Sequence, residues 1–168
     1  MEYDQTQREQ FASLIRQHGR SMFRVARAVL GSDTDAEDAV GDAVLLAWQS
    51  FHRLKRPEAA GRWLLRIAVN CAYSQQRRGA RVVYLEDLEQ VAGAIGEEDV
   101  PDLWSAVLRL PEDQRLAVTL YYYEDLSVAE IAHTLGIPQG TVKSRLSRGR
   151  DRLRQILREE EQYEIRPQ

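Results

Sequence analysis

Residues 127–157 constrain the fold of this chain most, because they carry the pattern of two helices joined by a tight glycine turn. Ser127 and Glu130 have the spacing of a capping box, which predicts the start of the first helix. Gly136 falls where a helix needs a residue with positive φ in order to end. Pro138 disfavours helical geometry at Ile137, and proline itself suits the first turn of a helix. A second helix is therefore predicted to begin near Gln139.

The second helix of this pair is one-sided. Its apolar stripe consists of Val142, Leu146, Leu153 and Ile156. The other positions are basic or carry hydroxyl groups: Lys143, Ser144, Arg145, Ser147, Arg148, Arg150 and Arg152. A surface hairpin with a solvated basic face would explain the charge alone. The cap, the glycine turn and the one-sided basicity together favour a helix-turn-helix whose second helix enters a DNA major groove.

Charge is distributed unevenly along the chain. Residues 137–158 hold seven Lys/Arg against one acid, whereas residues 79–136 hold three basic and twelve acidic residues. The whole chain has a formal net charge of −3. A free-standing DNA-binding domain is usually basic, because counterion release supplies most of its affinity. We therefore expect another macromolecule to contribute much of the affinity for DNA.

The composition gives no sign of a catalytic or metal centre. Cys71 is the single cysteine, which excludes a disulfide framework and a metal site built on cysteine spacing. The histidines at 18, 52 and 133 are scattered without ligand spacing, and there is no Gly-rich phosphate loop or nucleophile–base pair. We expect no catalytic residue, no cofactor, no metal and no small-molecule substrate. This makes an all-α enzyme the weakest class of function.

The sequence predicts no membrane insertion and a cytoplasmic location. The N-terminal segment is polar and lacks the apolar core of a secretory signal. No run approaches the 18 apolar residues that a membrane span requires.

Helical periodicity predicts an all-α chain in two small domains. Ahead of the helix-turn-helix, helices are predicted over residues 7–30, 35–54, 59–78, 101–109 and 112–123, the second opened by a Thr34–Glu37 capping box. The domains span 7–78 and 101–160, joined by a flexible, acidic, glycine-interrupted linker at 79–100, with short apolar anchors at Val82–Leu85 or Leu88–Val91. Strand signals are nearly absent, apart from local β propensity at 121–123 and 82–85. The linker offers little to pack, so the domains are expected to be held together by a partner more than by each other.

One face of the third predicted helix carries a polar stripe with one aromatic residue. Its members are Arg66, Asn70, Tyr73 and Arg77, spaced at i, i+4, i+7 and i+11. Such a stripe can contact phosphates and bases. From the spacing alone, a solvated helix face is as good an interpretation as a surface that contacts DNA.

Three stretches in this order resemble the bacterial RNA polymerase sigma factors of the extracytoplasmic-function (ECF) group, in the sigma-70 family, over almost the whole chain. Residues 35–48, DAEDAVGDAVLLAW, resemble region 2.2 of that family, and residues 61–78, GRWLLRIAVNCAYSQQRR, resemble regions 2.3 and 2.4. Residues 110–154 resemble region 4, most specifically in the run GTVKSRL at 140–146. A self-sufficient helix-turn-helix regulator is the alternative that the last stretch alone would allow.

The resemblance implies roles for particular residues. Region 2.2 implies binding of the polymerase clamp by Asp35, Glu37, Asp38, Asp42, Leu45 and Trp48. Regions 2.3 and 2.4 imply contact with the opened −10 element by Arg66, Asn70, Tyr73, Arg77 and Arg78, with the loop 55–61 as a pocket for an extruded base. Region 4 implies base contacts in the −35 element by Lys143, Ser144, Ser147 and Arg148. Thr141, Arg145 and Arg150 are expected nearer the phosphates. Trp48 could instead be a core residue.

The partners implied by the resemblance are core RNA polymerase (the β′ clamp and the β flap), promoter DNA and an anti-sigma factor, which in this group is often membrane-anchored.

The chain departs from the family pattern at a few positions. Gly41 stands where Gln is common and weakens the helix locally, and Ala43-Val44 replace a usual Thr-Phe pair. Ser74 replaces a frequent acid, and Gly149 stands where Ala is common, which is expected to be a small-for-small change.

Overall fold

A computed structural model of the protein describes residues 4–82 and 103–164, with the backbone alone at 80–82 and 164. Within this part of the chain every regular element is helical, which confirms the all-α prediction and the division into two helical units. The helices are α1 (Gln5–Val29), α2 (Asp33–Ser50), α3 (Ala60–Val82), α4 (Leu103–Leu108), α5 (Glu112–Val118), α6 (Val128–Leu135) and α7 (Gln139–Glu164). Most of the predicted linker and its apolar anchors lie outside the described residues.

The first unit is a bundle in which α1, α2 and α3 contact one another pairwise. Met22 and Val25 of α1 and Leu64 of α3 are fully buried at its centre. On α2 the buried positions are all alanines spaced three or four residues apart: Ala36, Ala39, Ala43 and Ala47. Small side chains let α2 approach its neighbours closely, and the larger residues of α1 and α3 fill the space between the helices.

The prediction of the residue that caps the N-terminus of α2 is wrong. Thr34 and Glu37 were expected to form a capping box, but Ser32 is the N-cap, and its hydroxyl accepts from the backbone N–H of Asp35 at 3.2 Å. The helix therefore begins two residues earlier than predicted. It also ends earlier, at Ser50, because the chain tightens into a 3-10 turn over Phe51–Arg53.

The second unit packs α5, α6 and α7 around Leu116, Leu120, Ile131 and Val142, all buried. The predicted helix 112–123 is interrupted, because α5 ends at Val118 and a π-helical turn covers Thr119–Tyr123. Thr119 is fully buried there, and its hydroxyl donates to the carbonyl of Arg115 at 2.8 Å. Asp125, two residues after this turn, has a φ of 55°, and the chain then enters α6.

The two units are in contact, which the sequence did not predict. Helix α5 packs against α1, and α6 touches α3. The Arg115 side chain donates to the carbonyl of Ala28 near the end of α1. The units therefore have contacts of their own, and the expectation that a partner holds them together more than they hold each other stays a prediction. Among the described residues, no helix is long and apolar enough to cross a bilayer.

Candidate nucleic-acid interface

The predicted helix-turn-helix is confirmed in its local geometry. Ser127 and Glu130 form the capping box: the Ser127 N–H donates to Glu130 Oε2 at 2.8 Å, and the Glu130 N–H donates to Ser127 Oγ at 3.1 Å. The hydrogen bond from the Ser127 backbone is the main cause that holds the pKa of Glu130 below its ordinary value, with Arg62 adding to it. Gly136 ends α6 in the left-handed region, at φ 65° and ψ 38°.

Helix α7 presents one face to the core and another to solvent. Val142, Leu146 and Ile156 are buried and Leu153 is half-buried, as the apolar stripe predicts. The four predicted base-contact residues are all exposed: Lys143, Ser144, Ser147 and Arg148. The Ser144 hydroxyl donates to the carbonyl of Gly140 at 3.1 Å, within its own helix.

The three residues predicted to lie nearer the phosphates are half-buried at the edges of this face. Arg145 pairs with Asp113 of α5 at 3.8 Å, and Arg150 donates to the hydroxyl of Tyr122 at 3.3 Å. Thr141 lies in the first turn of α7. Tyr122 and its neighbour Tyr121 are both exposed, with ring centres 4.9 Å apart. This tyrosine pair was not predicted as part of the site, because its only signal in the sequence is a local β propensity.

The polar stripe on α3 is exposed except at its aromatic member. Arg66, Asn70 and Arg77 are exposed, whereas Tyr73 is half-buried. Burial is the largest cause that raises the pKa of Tyr73; the negative charges of Glu112 and Asp113 raise it further, and Arg145 opposes them. The stripe is therefore not wholly open to solvent, because the start of α5 lies beside it.

Arg78 follows this stripe and pairs with Asp42 of α2 at 3.4 Å. The pair links a residue predicted to contact DNA with one predicted to contact polymerase. Both side chains are largely exposed, so the pair contributes little to stability and either partner is available to another ligand.

The loop predicted as a base pocket lies next to an open cavity of about 510 Å³. Leu54, Pro57 and Phe51 supply an apolar lining on the loop side. Helix α1 supplies Gln7, Gln10 and Ser13 opposite them, together with Leu14. An apolar wall facing amide and hydroxyl groups suits the stacking and edge contacts of a nucleobase.

The exposed side of α2 combines acids with apolar residues. Asp35, Glu37, Asp38 and Asp42 are exposed, and so are Leu45 (63%) and Leu46 (48%). Trp48 is half-buried, with its ring centre 5.0 Å from that of Phe11 and 6.3 Å from that of Phe51. Trp48 therefore contributes to the packing of the first unit. Leu46 was not among the predicted residues, although it is adjacent to Leu45 on the same helix.

Among the described residues, no group of three acidic, histidine or cysteine side chains could hold a metal ion. Cys71 is buried, and this burial is the largest cause that raises the pKa of its thiol.

The helical fold and the exposed faces of α3 and α7 define a protein of two helical units, the second of which contains a helix-turn-helix. Residues 14–82 match the family described as Sigma-70 region 2, and residues 102–153 match Sigma-70, region 4. The chain is 37% identical over 150 residues to the ECF RNA polymerase sigma factor SigM of Mycobacterium tuberculosis, covering 88% of this chain and 76% of that protein. It is 28% identical to the ECF RNA polymerase sigma factor SigW of Bacillus subtilis, with 89% of each chain covered.

Solved structures agree with this assignment. The sigma factor RpoE of Bartonella quintana, in complex with the anti-sigma factor NepR, is similar with a TM-score of 0.73 and 28% identity, over 89% of this chain and 98% of that chain. CnrH, in complex with the cytosolic domain of CnrY, is similar with a TM-score of 0.61 and 27% identity, over 89% and 88%. The chain belongs to the ECF sigma factors of the sigma-70 family, and its function is to direct transcription initiation at promoters.

Proposed function

We propose that the protein binds core RNA polymerase and directs it to promoters by contacting the −35 element through α7 and the −10 element through α3. One observation carries the proposal: Lys143, Ser144, Ser147 and Arg148 form a continuous exposed face on the second helix of a helix-turn-helix. Lys143 and Arg148 can donate to guanine edges, and the two serines can contact any base. Arg150, Arg145 and Thr141 flank this face and are assigned to the phosphates.

The −10 element is assigned to α3 and the loop before it. Asn70 and Arg66 are exposed one helical turn apart, so both can contact the same unpaired strand. Tyr73 offers a ring for stacking, and Arg77 and Arg78 offer positive charge for the backbone. The cavity beside Pro57 is the proposed site of an extruded base.

Polymerase binding is assigned to the exposed side of α2. Two adjacent exposed leucines among carboxylates are an unusual helix face for a surface that stays in water. The carboxylates Asp35, Glu37, Asp38 and Asp42 surround Leu45 and suit a basic partner helix of the β′ clamp. The second unit is assigned to the β flap.

Control by an anti-sigma factor is proposed from the two similar structures. One is a complex with the anti-sigma factor NepR, and the other is a complex with the cytosolic domain of CnrY. The protein is proposed to act in the cytoplasm. It is proposed to be a non-catalytic initiation factor without a cofactor, since sigma factors supply promoter recognition and polymerase supplies the chemistry.

The test is run-off transcription with core polymerase and a cognate promoter. Arg148→Ala is expected to weaken promoter use by about 1–3 kcal/mol and to relax preference at one base pair of the −35 element. Arg158→Ala is the matched control, because Arg158 is exposed on the same helix beyond the predicted face. Equal transcription by the Arg148 variant and wild type would remove Arg148 from the proposed contacts.

A further inference from the structure

Two exposed tyrosines lie beside the proposed −35 face of α7 and belong to none of the contacts assigned so far. Tyr121 and Tyr122 are 37% and 49% exposed, and their ring centres are 4.9 Å apart in an edge-to-face arrangement. This arrangement is favourable for two aromatic rings, so each tyrosine restricts the movement of the other. Aromatic side chains held in place at a surface are enriched among residues that dominate binding.

The tyrosine pair stands on an irregular piece of backbone. Both residues belong to the π turn Thr119–Tyr123, in which the N–H of Glu124 donates to the carbonyl of Thr119 at 3.2 Å. Thr119 is fully buried, so the turn is anchored in the second unit while the two rings remain exposed. Single π turns occur frequently at functional sites. The turn therefore gives the pair a fixed position at the surface.

Close packing of α7 brings its Arg150 to Tyr122. A Cβ atom added at Gly149 would lie 2.8 Å from Cγ2 of Val118, so the two segments approach closely there. Tyr122 follows Val118 by one turn, and Arg150 follows Gly149 directly. Arg150 donates from Nη1 to the hydroxyl oxygen of Tyr122 at 3.3 Å. The two side chains therefore meet at the edge of the −35 face, one from each segment.

Arg150 continues a row of residues along α7. Lys143, Ser147 and Arg150 are spaced at i, i+4 and i+7, which places them in one line on a helix. The rise of about 1.5 Å per residue puts Arg150 about 10 Å beyond Lys143 along the axis. The first residues of a helix of this kind contact base edges in a major groove about 12 Å wide. At this distance from the base contacts, Arg150 reaches the phosphates that border the groove.

The hydrogen bond between Arg150 and Tyr122 leaves donors for an anion. A guanidinium group has five N–H donors, and the bond from Nη1 to Tyr122 uses one of them. The Tyr122 oxygen accepts from this cation, so its own O–H is directed to another acceptor. A cation and a hydroxyl that donate side by side match the oxygens of a phosphate, the group that receives most protein contacts in DNA.

We propose that Tyr122 and Arg150 together bind one DNA phosphate at the border of the −35 element. Tyr122 holds the guanidinium in place and also donates to the phosphate, and Tyr121 keeps the ring of Tyr122 in position. The proposal rests on the proposed function, because it uses the assignment of −35 binding to α7. It adds a contact from the segment before α6. Since phosphate contacts fix the register of a protein on DNA, this contact positions α7 in the groove.

The test measures the affinity of reconstituted holoenzyme for a duplex that carries the −35 element of a promoter transcribed by wild type. Tyr122→Phe keeps the ring and removes the hydroxyl, and it should weaken binding about three- to tenfold. The loss should be equal on duplexes with altered −35 base pairs, because the lost contact reads no base. Tyr163→Phe is the matched control: it removes a hydroxyl that is exposed near the other end of α7, and its affinity should equal that of wild type.

A second measurement identifies the phosphate. Single methylphosphonate replacements along the same duplex remove the charge of one phosphate at a time. One replacement at the border of the −35 element should weaken binding by wild type, and this penalty should shrink at the same position in Tyr122→Phe and in Arg150→Ala. Arg150→Ala should also lower the salt dependence of log affinity by about one ion contact. Tyr122→Phe should lower it less, because the charge of Arg150 remains.

Wild-type affinity in Tyr122→Phe would overturn the proposal, and so would penalties that shrink at different phosphates in the two variants. Circular dichroism melting compares the folds of all the proteins. If Tyr122→Phe melts at a lower temperature, the methylphosphonate series still decides, because loss of fold weakens binding alike at every replaced phosphate. Failure of the proposed function has a different signature: wild-type holoenzyme would show no penalty at any phosphate of the −35 element and no promoter-specific run-off.

Discussion

At the scale of single residues, Gly149 sets how closely α7 approaches α5. A Cβ atom added at this position would lie 2.8 Å from Cγ2 of Val118 and 3.6 Å from Cβ of Gln114. Val118 is buried and its β-branched side chain has little freedom in a helix, so it cannot easily move away. The expectation that Gly149 in place of Ala is a small-for-small change is therefore wrong, since one methyl group decides whether the helices fit.

Gly149→Ala is expected to lower the free energy of unfolding. Overpacking typically costs about 1–3 kcal/mol, which exceeds the gain of up to about 1 kcal/mol from replacing glycine in a helix. Gly41→Ala is the matched control, because nothing lies within 4 Å of a Cβ at Gly41, and it should raise stability by about 0.5–1 kcal/mol. Urea denaturation measures both. In a Val118→Ala background the cost of Gly149→Ala should shrink, and an unchanged cost there would contradict the assigned clash.

At the scale of elements, the capping box of α6 predicts a dependence of stability on pH. The folded protein holds the pKa of Glu130 below its ordinary value of 4.5. A depressed carboxyl pKa contributes stability that is fully present above the unfolded value and is lost as the pH falls through the folded value. The stability of the wild type should therefore decrease below about pH 4.5, and Glu130→Gln should remove part of this decrease.

Ser127→Ala tests the other half of the same box. Loss of an N-cap hydroxyl typically costs about 1 kcal/mol at neutral pH. Thermal unfolding monitored by circular dichroism from pH 3 to pH 7 measures both variants. If Glu130→Gln and wild type lose stability in parallel across this range, the acid sensitivity arises from other carboxylates.

Helix α2 offers a test of polymerase docking that does not disturb the fold. Trp48 packs on Phe11, so its replacement would affect the bundle as well as any docking. Leu45 is 63% exposed, and Leu45→Glu should leave the melting temperature nearly unchanged. Its competition for core polymerase should fall at least tenfold if Leu45 is central to the interface. Leu103→Glu is the matched control, because Leu103 is 50% exposed on α4 and is not among the assigned polymerase contacts. Equal competition by the two variants would count against the assigned face.

Local signals in the sequence were enough to predict the helix-turn-helix. The Ser127–Glu130 box and Gly136 act within a few residues, so their structure follows from their own neighbourhood. The cap of α2 was mispredicted because Ser32 and Thr34 are both suitable cap residues two positions apart. The π turn at Thr119–Tyr123 has no comparable local signal.

The candidate site was predictable in its helix faces but not in its pairings. Periodicity indicated which side of α7 is exposed. It could not show that Arg145 pairs with Asp113 or that Arg78 pairs with Asp42, because these partners come from other helices. Contacts between distant segments depend on how whole elements pack, which no local pattern encodes.

At the scale of the whole molecule, the uneven charge and the contact between the units are connected. The chain is acidic overall, while residues 137–158 are strongly basic. Three acids of the second unit accept hydrogen bonds from the first unit: Glu112 from Gln76, Glu124 from Arg24 and Glu130 from Arg62. Negative charge thus serves within the molecule to hold the units together, and the basic face of α7 stays available to DNA.

The last prediction concerns the cooperativity of unfolding. Arg115 joins the units through carbonyls on both sides, at Ala28 and Leu108. Arg115→Met retains much of the side chain's volume but removes both hydrogen bonds, and a charged hydrogen bond contributes about 1.5–3 kcal/mol. We expect wild type to unfold in a single urea transition and Arg115→Met to unfold in two, because each unit then unfolds at its own midpoint.

Arg109→Met is the control, since Arg109 pairs with Glu160 inside the second unit. Probes of each unit, tryptophan fluorescence at Trp48 and at Trp104 in single-tryptophan variants, should coincide in wild type and separate in the Arg115 variant. Coincident transitions in the Arg115 variant would show that the apolar contact of α5 with α1 is sufficient to couple the units without it.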